Sequence, residues 1–466
     1  MKKLVILVIA LLVAFALIAP KFSGDSFNQQ LERFSTAIND SGVYKVSITQ
    51  KEQSWFSTKA NMSLELVMPS TANQAELPDM SADFEILAQH GPVLTQNGFG
   101  LGWLAWSVNL LTGELPESLS FEGEGPLYHA RGNMSLFGGT SYQDEILAMQ
   151  YTDPQTNMVM STSGWQGEGY FDASQSEYEG RVDSLELSMP DIYSMNMSDV
   201  SLSFSADVSL NKILESQFYN GTGDINMASM SIENLVENTQ VELDSLSMNS
   251  RVEVDEQAGL ADTNMSISLN TLTTPEMNLQ DMLVKLEVNK LQEAFLQAYQ
   301  NMNKAVMENP QQAQSIMQKT MQNHLLPQLQ AEPEFNVTEF VATLNDGKLT
   351  MTSLNKIVGV DSLPPTLEDP GFWVSHANSD TQMQIDNSAA MFIAGLVLKA
   401  QLAGNPQIAQ MDDAQLAQVI AQQSEVTLNT LVQQGLLVKT EEQYTLNFNL
   451  KDGQASLNGN PMPLPL

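Results

Sequence analysis

The chain has 466 residues, 55 acidic against 20 basic for a formal net charge of −35, and no cysteine. Disulfides, thiolate metal sites and thiol nucleophiles are therefore excluded. So is nucleic acid as a partner, because binding it depends on lysine and arginine displacing counterions.

The first element is the most informative. Met1-Lys2-Lys3 precedes an uninterrupted apolar run over residues 4–19, closed by Pro20-Lys21. Lysines ahead of the run and an acidic remainder behind it predict a transmembrane helix with a cytoplasmic N-terminus. At 1.5 Å per residue the run is roughly 24 Å long, within reach of a bilayer once lysines snorkel. A cleaved signal peptide is the rival reading, but cutting after Ala19 would leave Pro20 first and place Leu17 where bulk is disfavoured. The expectation is a retained anchor that exports everything beyond it.

From 43 to 288 the dominant signal is alternation. Residues 200–210 are apolar at every second position with Ser or Asp between, which predicts a strand with one buried and one wet face. Similar stretches recur at 185–189, 225–232, 241–248, 265–269 and 282–288, at uneven spacing, so the expectation is an antiparallel meander and not a repeat array.

The period changes at 290–310, where Leu291, Phe295, Ala298, Met302 and Val306 share a helical face. A second helix is expected to end near Pro327. Strands at 335–344 and 348–354 are joined through Asp346-Gly347, a hairpin signal. The apolar run 389–398 is too short to span and predicts a buried helix. Another follows at 412–434, with Asp412 and Asp413 at its positive end and Gly435 to stop it. A closing hairpin passes Tyr444 and Leu450, turns at Asp452-Gly453 and returns to Asn458-Gly459.

These elements predict a strand-rich α+β protein. A transmembrane anchor (1–21) leads into an elongated antiparallel β domain (22–289) and an α+β domain (290–466) ending in a β-hairpin.

Chemistry is sparse. His90, His129, His324 and His376 are scattered with no metal-ligand spacing. Neither a phosphate-binding loop nor a nucleophile elbow occurs. The Ser-x-x-Lys matches at Ser209/Lys212 and Ser353/Lys356 lie at strand ends and lack the companion motifs of acyl transfer. Carboxylate pairs such as Glu122/Glu124 carry little information among so many acids. No catalytic residue, metal ligand or cofactor is therefore assigned. Methionines at inward strand positions, including Met227, Met248 and Met265, suit a compliant core or a soft surface for acyl chains, and Met195 with Met197 offers soft ligands for copper(I) as a third reading. Trp103 and Trp106 sit in a glycine-rich apolar patch and are the preferred interface candidates if exposed.

Four landmarks resemble the YdgA-like family of bacterial envelope proteins. They are the N-terminal anchor, Trp55-Phe56-Ser57-Thr58 leading into an alternating strand, His90-Gly91-Pro92, and the tail hairpin with Asn458-Gly459. Ser54 and Val93 depart from the family's usual residues. The resemblance implies a single-pass bacterial inner-membrane protein with a periplasmic body, a homodimer, of unsettled activity, and no catalytic residues carry over. The leading functional expectation is a non-enzymatic envelope protein that binds or scaffolds a lipid or protein component. It would touch the inner membrane through residues 4–19 and take lipid on an apolar sheet face. The alternatives are a periplasmic hydrolase with His90 or His376 as base, and an adhesion- or motility-related assembly factor.

Overall fold

The computed structural model describes residues 2–42, 44–67, 81–111, 113, 115–116, 118–215, 218–402 and 413–464, with side chains at 2–17, 41, 215 and 413 left aside. The chain forms two compact units, residues 1–225 with 296–320 and residues 226–295 with 321–466.

The first unit opens with helix α1 (Lys2–Ser41). Strands β1 (Tyr44–Gln53), β2 (Ser57–Leu66), β3 (Ser81–His90), β4 (Val93–Leu94), β5 (Gly100–Leu110), β6 (Leu119–Phe121) and β7 (Tyr128–Ser135) follow. Next come β8 (Thr140–Ile146), β9 (Met149–Thr152), β10 (Val159–Thr162), β11 (Trp165–Phe171), β12 (Ser176–Met189) and β13 (Tyr193–Ala206). Antiparallel pairing runs β1–β2–β3–β5–β7–β8–β11–β12–β13. The far half of β12 also pairs with β10, which extends through β9 to β6.

Register carries the alternation from strand to strand. Thr58, Ala88, Trp106, Gly132, Tyr142, Gly169, Tyr178 and Phe204 stand in one line across the sheet. Ser107, Arg131, Gln143, Glu168, Glu179 and Ser203 line up on the reverse, polar face. Helix α1 covers the apolar face at β1–β5, where Phe27 and Leu31 pack on Ile48, Ala60, Met62, Ile86 and Val108.

A short helix α2 (Leu210–Glu215) precedes β14 (Gly221–Asn234), which contributes residues to both units. The second unit continues with β15 (Thr239–Asp255), β16 (Leu260–Thr273) and β17 (Asn278–Gln292). Helices α3 (Glu293–Glu308) and α4 (Ala313–Gln330) are shared between the units, and β18 (Glu334–Leu344), β19 (Gly347–Ile357), α5 (Pro370–His376) and β20 (Ala377–Asp386) follow. The chain ends with α6 (Asn387–Leu402), α7 (Asp413–Gln433), β21 (Val438–Lys439), β22 (Gln443–Lys451), β23 (Gln454–Leu457) and β24 (Asn460–Met462). Its antiparallel sheet runs β15–β16–β17–β18–β19–β20–β22–β23–β24, with β21 on β22. Helices α6 and α7 build the core at one end, where Ala389, Ala390 and Leu428 pack on Ile385 and Tyr444.

The strand-rich antiparallel reading holds, but the transmembrane helix is corrected, and with it the inner-membrane localisation. Among the described residues no helix is long and apolar enough to cross a membrane. From Ile18 onward α1 carries Lys21, Asp25, Glu32, Arg33 and Asp40 on one side and packs Phe27 and Leu31 into the sheet on the other. That makes it an amphipathic helix of the folded unit, with its apolar side already used. Most of the apolar run behind the expectation (4–17) lies outside the described side chains, as do the capping positions Asp412 and Asp413.

One turn also differs. Leu344 pairs with Gly347, so the β18–β19 hairpin turns on Asn345-Asp346, both at positive φ, and not on Asp346-Gly347. Asn and Asp tolerate that conformation. Gly347 is needed for another reason: a Cβ there would come within 2.5 Å of the Ala389 backbone nitrogen at the start of α6.

Candidate functional site

His90 ends β3 in the interior, only 2 % exposed. Register places it on the apolar face with Thr58, whose Oγ1 is 3.0 Å from Nε2. Above the ring lies α1, and only a glycine fits there: a Cβ on Gly24 would meet Cε1 at 2.5 Å and Nδ1 at 2.6 Å. Nδ1 is buried without a partner of good hydrogen-bond geometry. Burial dominates and holds the imidazolium below the ordinary histidine range, while the Trp55 backbone and the Asp25 carboxylate pull it upward. Asp25 is itself bonded by the Gln53 amide at 3.1 Å.

Gly91 and Pro92 fix the chain beyond His90. The Gly91 amide donates to Trp103 O at 2.8 Å and Gly102 donates to Pro92 O at 3.0 Å, across a cis Gly91–Pro92 bond. A Cβ on Gly91 would collide with the Gly102 carbonyl, so β3 and β5 approach backbone to backbone there. Sequence reasoning singled out His90-Gly91-Pro92 and, separately, the landmark that ends in Thr58, but it did not join the two and it missed Gly24, which completes the nest. Neither Gly24 nor Thr58 lies near His90 in the chain, and nothing in the local sequence of Gly24 marks it.

Trp103 and Trp106 do not form one patch. The indole N–H of Trp103 donates to Leu136 O at 2.9 Å, tying β5 to the β7–β8 turn. Trp106 lies over Gly132, where a Cβ would come within 2.6 Å of its ring, and 6.4 Å from Tyr142. Tyr142 lies over Gly169 in the same way and stacks nearly parallel to Tyr178, with centroids 6.0 Å apart and planes at 9°. Large rings laid across glycines in neighbouring strands form an aromatic row. Within it burial pushes the Tyr142 phenol up to about 12. Tyr178 donates to Asp144 at 3.1 Å and accepts from the Trp165 indole at 2.9 Å. Burial of Asp144 raises its carboxyl above the usual range, with the Tyr178 bond opposing.

The other histidines stay apart. His129 faces Glu145 at 3.5 Å, and His376 ends α5 with Nδ1 2.8 Å from Phe372 O. Among the described residues no group of three or more His, Asp or Glu side chains is placed to hold a metal. Ser353 of the second Ser-x-x-Lys match bonds Thr381 at 2.7 Å, and Lys356 pairs with Glu332 at 3.0 Å.

The second unit offers a different surface. Met248, Ile267, Val284, Phe340, Met351, Met383 and Leu446 form one line across β15 to β22. Leu246, Leu269 and Met282 flank it on one side, Met265, Leu286 and Val337 on the other. Most of these side chains are half-buried, whereas the alternate residues Glu242, Asn249, Arg251 and Glu253 face solvent. Helices α6 and α7 pack at the β18–β22 end, in a core that includes no residue of β15–β17.

Residues 1–465 match a family described as bacterial protein of unknown function (DUF945). The chain belongs to that family. No curated protein and no solved structure matches it.

In this DUF945 chain the remaining sequence landmarks are turns. Trp55 and Phe56 lie in the β1–β2 connection and Ser57 opens β2, the turn being closed by the Ser54 amide donating to Ser57 O at 2.8 Å and by a 2.8 Å contact between the two hydroxyls. Asn458 and Gly459 turn β23 into β24 at positive φ. The Asn458 side chain accepts from the Asn447 amide at 2.9 Å and donates to Gly435 O at 2.8 Å, joining the hairpin to the end of α7.

Proposed function

We propose that this DUF945 member is a binding protein that takes an extended acyl chain on the apolar face of its second unit, and that it sits with the YdgA-like proteins within the family. One observation supports the reading: the seven-strand apolar line from Met248 to Leu446 continues onto β15–β17, beyond the residues that pack on α6 and α7. At 4.8 Å per strand that line is roughly 29 Å long, the scale of a lipid tail. Flexible methionines at several of its positions suit chains of varied length and unsaturation. About eight contacting methylenes would contribute roughly 6 kcal/mol before ordering costs, which sets tens of micromolar as the tightest dissociation constant such a contact would give.

Titration of the full chain with a fluorescent fatty acid tests this. Saturable binding is expected, and Val284→Glu should weaken it at least roughly tenfold by setting a charge in the line. An absence of binding by the unaltered protein would end the proposal.

A further inference from the structure

We propose that the polar face of the first unit's sheet is a binding groove for a neutral, hydroxyl-rich chain, an oligosaccharide. This stands apart from the acyl-chain reading, which concerns the second unit.

Two cavities, of about 410 and about 700 Å³, open on this face. Each falls in the range of small-molecule sites, roughly 300–1,000 Å³. They share Arg131, Gln143, Glu168 and Glu179, and so form one groove across β7, β8, β11 and β12. Register sets these four side chains in one row, flanked by a row that ends in Arg181 and another that includes Tyr170. Three strand intervals separate Arg131 from Glu179, roughly 14 Å, the length of a short oligosaccharide. Asn97 closes the β5 side, its amide donating to Trp106 O at 3.1 Å and Gly132 O at 3.0 Å. Helix α1 packs on the opposite face and leaves this one open.

The lining selects the occupant. Among the described residues no Ala, Val, Leu, Ile or Met lines either cavity, so an acyl chain or an aliphatic anchor finds nothing to pack on. Nor is any group of three His, Asp or Glu placed to hold a metal among those residues. Guanidinium groups stand among carboxylates, so a polycation is repelled by the first and a polyanion by the second. Hydroxyls donate and accept through one atom. They match a floor of Arg donors, Glu acceptors and amides that do both.

The charges are also placed as a solvated face alone would not require. Between residues 60 and 211 Arg131 and Arg181 are the sole lysine or arginine residues, and both line the groove. Arg131 spends one N–H on Gln143 at 3.3 Å. Glu168 stands directly opposite Glu179 on the neighbouring strand, a like-charge placement that costs stability. Among the described residues neither arginine and neither glutamate of that pair enters an ion pair.

The test is calorimetric titration of the full chain with maltohexaose, cellohexaose and N-acetylchitohexaose. Saturable binding of at least one is expected, with an affinity that molar salt leaves unchanged because the ligand is neutral. Arg131→Ala with Arg181→Ala, and separately Glu168→Gln, should each weaken it by roughly tenfold or more. These side chains are exposed, so the fold should persist. Glu168→Gln should also raise the melting temperature by removing the repulsion, and a variant that loses stability and sugar together would mark a structural role and overturn the proposal. Val284→Glu should leave sugar binding intact and the groove variants should leave fatty-acid binding intact, so the two readings fail separately. No heat with any of the three sugars, equal binding by the groove variants, or uptake of spermine or heparin in place of the neutral chains would each overturn the proposal.

Discussion

Replacing Gly24 by alanine sets two known effects against each other. In an exposed helix interior the change stabilises by about 1 kcal/mol, through lost backbone entropy in the unfolded chain. Here the added methyl carbon would lie 2.5 Å from Cε1 and 2.6 Å from Nδ1 of a ring that is almost fully buried and held by Thr58. The ring cannot rotate away without breaking that bond, worth about 1 kcal/mol. Overpacking adds roughly 1–3 kcal/mol. The balance is a net destabilisation of about 1–3 kcal/mol, or roughly 3–9 °C in the melting of a unit this size. Hydrogen exchange of the β2 and β3 amides reports the first unit separately from the second. In a double-mutant cycle, His90→Ala should make room for the methyl group and show a coupling of about 1 kcal/mol or more. A single variant that proves more stable than the unaltered protein would refute the nest described around His90.

Three further outcomes follow from the same structure. Because burial lowers the His90 pKa, the unfolded state binds the extra proton first, and stability should fall as pH drops below the ordinary value of 6.5. Chemical denaturation from pH 7.5 to 5 should show that slope, and His90→Phe should flatten it. Gly132→Ala, whose Cβ would strike the Trp106 ring at 2.6 Å, should cost about 1–3 kcal/mol and disturb near-ultraviolet ellipticity, whereas Gly113→Ala, with open space around it, should do neither. Asn458→Ala removes bonds to Asn447 and Gly435 and a tolerated positive φ, so α7 should fray from the hairpin at a cost of about 1–2 kcal/mol, read by exchange of its last-turn amides.

Local chemistry determined much of the architecture. Alternation at 241–248 lies wholly within β15, whereas that at 200–210 is a two-faced strand only as far as Ala206, since the chain then leaves the sheet and Leu210 opens α2. Gly435, at φ 73°, ends α7 because few other residues adopt that conformation without strain. Asp452 and Gly453 likewise form the turn their sequence signals, at φ 51° and 74°.

Tertiary structure decided the rest, because those properties depend on which residues meet across strands. The helix at the N-terminus reads as an apolar rod from its first residues, yet its later turns are consumed by packing against Ala60 and Ile86. His90 is one of four scattered histidines until β2 supplies Thr58 and α1 supplies Gly24. The turns that carry Trp55 and Phe137 lie far apart in sequence, and only antiparallel pairing through β2, β3, β5 and β7 brings them to one end. Period and turn chemistry are encoded within a few residues, whereas register and long-range contact belong to the folded chain as a whole.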